Sequence, residues 1–230
     1  ANDASVALAE HVAGNEADFV ALMNQRAGEL GLNTTHFANP HGIDAPGHVS
    51  SALDLWRLSE AAMAYPAFRD IVATRFHNAA GRPLYNSNEL LGRYPGADGV
   101  KTGTTDQAGE CLVASVTQDD HRVMATVLGS QNRYGDVEAL FDHYFAHYLW
   151  APAPQPAGAT AWLRASDGRS YRVMAPEAPD LFLARWQWPL VRTQVVLSGA
   201  PTAAGRSPGV VRWYLGNALL GEAPAMLSEY

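Results

Sequence analysis

A chain of 230 residues with 47% hydrophobic content is long enough to bury one large core, or one medium and one small core. Its formal net charge of -7 comes from scattered carboxylates, and with no Lys/Arg cluster to track a phosphate backbone, nucleic acid is excluded as a natural partner. No stretch approaches the roughly 18 uninterrupted apolar residues of a membrane-spanning helix, and no basic-then-apolar leader is visible. The first residues, Ala1-Asn2-Asp3-Ala4-Ser5, lack a methionine and enter a helical pattern at once, so residues upstream of them are expected.

From Asp3 to Gly31 apolar residues recur at helical spacing, with Phe19, Leu22, Met23, Arg26 and Leu30 on one face. Asn15 followed by Glu16 and Asp18 supplies an N-cap and first-turn acids, so two helices broken near Gly14-Asn15 are predicted. Asn33 to Gly47 reads as a polar loop, and Ser51 with Asp54 as a capping pair for a helix through about Met63. A short helix follows Pro66. Thr74 to Asn78 is predicted as a strand, Ala79 to Arg82 as a turn, and Tyr85 to Tyr94 as loop with a short helical piece.

Gly99 to Thr105, Glu110 to Thr117 and Arg122 to Gly129 then form successive predicted strands of an antiparallel sheet. The lone cysteine, Cys111, lies within one of them, which excludes an intrachain disulfide and suits a buried small hydrophobe. Val137, Leu140, Phe141, Tyr144, Phe145 and Tyr148 mark one face of a helix from about Tyr134 to Trp150. The proline-rich stretch 151–160 cannot continue that helix and reads as a semi-rigid linker. Beyond it, short alternating runs between Ala161 and Leu215 predict a small all-β domain over 161–230. The fold class expected is α/β (α+β), with helices around an antiparallel sheet in a domain over 1–150.

The strongest chemical signal is Asp98-Gly99-Val100-Lys101-Thr102-Gly103-Thr104-Thr105, because a Lys-Thr-Gly triplet on an edge strand is shared by penicillin-binding proteins and serine β-lactamases. Its context adds to it: Asn39-Pro40-His41-Gly42-Ile43-Asp44, His48 to Leu55, Asn86-Ser87-Asn88-Glu89-Leu90-Leu91, and Ala108 to Ser115. In order and spacing these segments closely resemble the low-molecular-mass D,D-carboxypeptidases of the S11 serine peptidase family, from Ala1 to about Trp150. The tail resembles the β-rich domain often appended to such enzymes.

The resemblance implies a transpeptidase-like domain lacking its N-terminal segment, with the family's Ser-x-x-Lys, Ser-x-Asn and Lys-Thr-Gly motifs as its machinery. Asn2 would be the asparagine of the second motif, whose serine would lie just before residue 1. No Ser-x-x-Lys occurs in the chain, and Lys101 is its only lysine. The nucleophile would therefore come from an upstream segment of the same protein, expected to remain associated, and this chain alone would be inactive. By resemblance, the Thr104 backbone N–H is one oxyanion donor. Lys101 supplies positive charge and orients the second-motif serine, Gly103 lets substrate approach, and Asn2 contacts the substrate amide and the nucleophile's lysine. Thr102 and Thr105 would donate to the terminal carboxylate of D-alanine or of a β-lactam.

Arg133, at the start of the last helix, is a candidate second carboxylate anchor, although the same position suits a solvated arginine. The substrate implied is the peptidoglycan stem peptide, with β-lactams as covalent inhibitors of the complete enzyme, and the location implied is extracytoplasmic. No cofactor is expected, and no metal. His41 and His48 match no zinc-ligand spacing, and His41 better suits a loop brace. Trp162, Trp186, Trp188 and Trp213 are read as the core of the β domain, with a carbohydrate-facing role as the alternative. β-Lactamase and D,D-endopeptidase chemistry share the motifs, and a non-catalytic cell-wall-binding fragment is the reading from another class.

Overall fold

The computed structural model describes residues 2–165, 168–198 and 209–229, and the chain divides into two compact units at Asp142/His143. Ala1, which opens the stretch matched to the second motif, lies outside the described residues.

In the first unit, α1 (Asn2–Ala13) and α2 (Glu16–Glu29) are separate helices because Gly14 turns at φ +86° and Asn15 caps α2. The Asn15 side chain accepts the Asp18 N–H at 2.9 Å. α3 (Ala52–Met63) starts at Ser51, which accepts the Asp54 N–H at 3.3 Å. The buried Asp54 carboxylate turns the other way, accepting the Thr34 N–H (2.9 Å) and the hydroxyls of Thr34 (2.7 Å) and Thr35 (2.9 Å). The predicted capping pair thus divides: Ser51 starts the helix and Asp54 anchors the preceding loop.

α4 (Pro66–Ala73) leads into a hairpin of β1 (Phe76–Ala79) and β2 (Arg82–Tyr85), followed by α5 (Leu90–Arg93). β3 (Ala97–Thr105), β4 (Gly109–Gln118) and β5 (His121–Ser130) form an antiparallel sheet in the order β3-β4-β5. Asp119 and Asp120, at φ +48° and +63°, make the tight β4–β5 turn. β4 is the middle strand and is buried continuously from Leu112 to Val116, so both of its faces are covered. Met63, Val100 and Val113 join Leu55, Phe68, Val72 and Met124 in a core patch where α3 and α4 meet the sheet.

One carboxylate ties the three strands together. Asp98 on β3 accepts from the Ser115 hydroxyl (2.5 Å) and the Thr117 hydroxyl (2.7 Å) on β4, and from Arg122 on β5 (2.9 and 3.2 Å). Burial pushes its pKa up, but these hydrogen bonds and the Arg122 charge outweigh burial and hold it below the ordinary carboxylate range.

α6 (Arg133–His147) buries Val137 and Phe141 and ends earlier than its apolar periodicity predicts. Tyr148 onward forms β6 (Tyr148–Pro152), which opens the strands of the second unit. There follow β7 (Trp162–Arg164), β8 (Ser170–Met174), β9 (Asp180–Ala184), β10 (Val191–Leu197), β11 (Gly209–Leu215) and β12 (Ala218–Glu229). β6 pairs with β9, and the rest form a sheet in the order β10-β11-β12-β8-β7. Trp213, Tyr171, Val173 and Val211 lie at its buried centre.

Two expectations change here. The stretch 151–160 is built into the second unit and is no spacer: Ala151 and Pro152 pair with Leu181 and Asp180, and Ala153 is buried and donates its N–H to Pro179. The Pro154 carbonyl accepts the Trp213 indole N–H at 2.7 Å, and Gln155 exchanges two 2.8 Å hydrogen bonds with Ala175. Proline stops the α-helix, as expected, yet its carbonyl remains an acceptor and an edge strand tolerates it. Of the four tail tryptophans, Trp213 is core and Trp188 packs against it, whereas Trp162 and Trp186 are exposed.

Candidate active site

β3 lies at the end of its sheet, so its outer edge has no partner strand among the described residues. Lys101, Thr102, Gly103, Thr104 and Thr105 follow one another along this edge strand, Asn2 opens α1, and Arg133 opens α6. All seven line one open cleft of ≈ 470 Å³. The loop residues His41 to Ile43, with Ser87, Ala108 and Cys111, also line it.

Lys101 and Arg133 are charged, and no carboxylate is among the residues lining the cleft. In a chain of net charge -7 this local sign favours an anionic group. Lys101 donates to the Thr102 carbonyl. Although its side chain opens on the cleft, partial desolvation by the walls lowers its pKa first, and the Arg133 charge lowers it further.

Arg133 is braced as well as poised. Its Nη1 donates to the Gly103 carbonyl at 3.0 Å and the Thr104 hydroxyl at 2.8 Å, so the α6 start is fastened to the motif strand. Its buried Nε has no hydrogen-bond partner among the described residues, and the nearest carboxylate, Glu110, is 3.9 Å away. Two guanidiniums approach the Tyr134 ring, with Arg133 Cζ at 5.3 Å and Arg93 Cζ at 5.9 Å from its centroid.

The loop carrying His41 is shaped from within. Asn39 accepts the Gly42 N–H at 2.7 Å and donates to the Ile43 carbonyl at 2.8 Å, and His41 Nδ1 accepts the Ile43 N–H at 3.2 Å. Asp44 accepts the Gln107 N–H at 3.1 Å, which fastens this loop to the end of the motif strand. His41 thus braces its loop as the turn residues imply, and it also reaches the cleft.

Reading the motifs alone leaves out Ser87, Tyr134 and Cys111. Ser87 sits in the Asn86-Ser87-Asn88 run, Cys111 pairs with Gly103 across the β3–β4 ladder and lines the cleft, and Tyr134 adjoins Arg133. The run of four polar residues, Asn86 to Glu89, before apolar Leu90-Leu91 is the available signal for Ser87. The partners it would find are not.

Beside the cleft, and sharing Lys101 to Gly103 and His41 with it, lies a second hollow of ≈ 480 Å³. Its walls include Met23, Phe37, Leu55, Leu58, Phe68 and Leu112, so this side is largely apolar.

Residues 1–132 match the sequence profile of the peptidase S11 family, D-alanyl-D-alanine carboxypeptidase. The D-alanyl-D-alanine carboxypeptidase DacF of Bacillus subtilis is 39% identical over 66% of this chain and 41% of its own length. DacC of Escherichia coli, of the same description, is 32% identical over 99% of this chain and 60% of its own length. The chain therefore spans about half the length of these curated relatives. Among solved structures, penicillin binding protein 5 from Haemophilus influenzae superposes with a TM-score of 0.68 at 29% identity, covering 99% of this chain and 70% of that one.

Proposed function

The chain belongs to the D-alanyl-D-alanine carboxypeptidase family, peptidase S11, and from that premise we propose that it forms the substrate-aligning half of a serine acyl-transfer site. The substrate class is a peptidoglycan stem peptide ending in D-alanyl-D-alanine. The observation carrying this reading is that Asn2, Lys101, Thr102, Gly103, Thr104, Thr105 and Arg133, chosen from sequence, line one cleft.

A Ser-x-x-Lys segment upstream of this chain supplies the nucleophile and its base. The peptide lies along the free edge of β3, opposite Gly103, where no side chain obstructs it. Arg133, Thr102 and Thr105 hold the terminal carboxylate by charge-assisted hydrogen bonds. The serine oxygen attacks the penultimate carbonyl while the Thr104 N–H and the nucleophile's own N–H receive the oxyanion. The peptide bond breaks, D-alanine leaves with a proton, and water hydrolyses the acyl-enzyme. Lys101 supplies positive charge near the second-motif serine, and Asn2 holds the peptide amide. A β-lactam enters the same cleft through its own carboxylate. The substrate lies outside the cytoplasmic membrane, so the protein works there. Among the described residues no helix is long and apolar enough to cross a membrane.

The test is covalent labelling of the complete protein with fluorescent penicillin. The expected result is one label on the upstream serine, with Lys101→Ala slowing its formation by about 100-fold or more. Folded complete protein that takes no label would refute the reading.

A further inference from the structure

Ser87 belongs to none of the three catalytic motifs, yet it lines the cleft and its Oγ is 2.9 Å from Thr102 Oγ1. Thr102 is only 8% exposed, so its hydroxyl has few partners to choose among. Each hydroxyl has one proton. When Thr102 gives its proton to a carboxylate in the cleft, the bond between the two hydroxyls survives only with Ser87 as donor.

The segment carrying Ser87 is fixed from several sides. Tyr134 donates its phenol proton to the Ser87 carbonyl at 2.8 Å and accepts the Glu89 N–H at 3.2 Å. Buried Asn88 donates to the Gly99 carbonyl at 3.2 Å, and Asn86 donates to the Thr74 carbonyl at 3.1 Å. Tyr134 also neighbours Arg133, so the first turn of α6 grips the motif strand with one residue and the Ser87 segment with the next.

We propose that Ser87, held by Tyr134, is a positioning residue that sets the Thr102 hydroxyl as a donor and so makes the cleft select a free terminal carboxylate over an uncharged end group. The inference rests on the acyl-transfer reading for its substrate. A carboxylate offers only acceptors, whereas a terminal amide also presents donors, so a hydroxyl locked in the donor sense favours the acid.

The experiment compares kcat/KM for a stem-peptide analogue ending in D-alanyl-D-alanine with that for its C-terminal amide, using the complete protein with its upstream segment. Ser87→Ala is expected to cut kcat/KM for the acid by about five- to tenfold and leave the amide within about twofold. Ser87→Thr restores the preference, Tyr134→Phe weakens it partly, and Ser87→Ala adds nothing in a Thr102→Val background. Equal losses on both peptides, or none on either, overturn the proposal. A wild type that hydrolyses neither peptide refutes the peptidase reading alone. The preference is then read by NMR titration of the same complete protein with D-alanyl-D-alanine and its amide, where Ser87→Ala must still erase it, and an unchanged preference overturns the proposal.

Discussion

Around Trp213 and Tyr171 the second unit gathers its buried side chains into one cluster, with β8 alternating buried Tyr171 and Val173 against exposed Ser170, Arg172 and Met174. It still exposes Trp186, Leu190 and Leu219. The first unit differs in its open cleft and hollow. Leu8 and Val12 on α1 are 64% and 62% exposed, Ile71 on α4 is 71% exposed, and an apolar hollow opens beside the motif strand. Aliphatic side chains left in water on the elements around an ordered polar cleft fit the proposed upstream segment, whose packing would cover that surface.

The comparison can be broken most directly in the second unit. Trp213→Ala removes a fully buried indole and its hydrogen bond to Pro154, at an expected cost of about 3–5 kcal/mol. Thermal unfolding followed by far-UV and near-UV circular dichroism should show the second unit melting early while the first keeps its transition. A single joint loss would mean that the two cores are not separate.

A smaller effect is expected in the first unit. Asp98→Asn disturbs the network joining β3, β4 and β5 and is expected to cost about 1–3 kcal/mol near neutral pH. Because the folded-state pKa of Asp98 is depressed, its contribution is full above the unfolded value of about 3.9 and is lost as pH falls through the folded value. Urea unfolding of both proteins should show their difference shrinking below about pH 4. A difference that stays constant would assign the effect to packing.

The smallest effect is the most discriminating. Leu8→Gln should change the stability of this chain by no more than about 0.5 kcal/mol. In the complete protein, where the upstream segment covers α1, it should cost about 1 kcal/mol or more. Equal small effects in both would remove the reason for assigning that surface to the segment.

What could be read from the sequence was local. The Asn15 and Ser51 caps lie next to the helices they start, and β8 falls where its alternation places it. The first residues of β6, Tyr148 to Trp150, read as helix because Tyr144 and Tyr148 continue the helical spacing, and Ala151 and Pro152 read as linker; only pairing with β9 decides for strand. β12, the longest strand, was missed because Gly221 and Pro224 interrupt it, although its partners β11 and β8 hold it. The site divides likewise. Lys101 to Thr105 are contiguous and legible, whereas the Tyr134 bond to Ser87 joins residues far apart in the chain.

The open edge of β3 carries one more consequence. A strand left free for a peptide is also free for any other extended chain, including another copy of itself, and such edges seed aggregation. Here the exposed positions are Lys101, Gly103 and Thr104, a charge and two small residues in place of aliphatic side chains. Lysine in mid-strand penalises a second identical strand beside it, since two ammonium groups would meet. On the proposed reading, the only lysine in the chain also serves solubility, admitting an acidic guest and turning away its own kind.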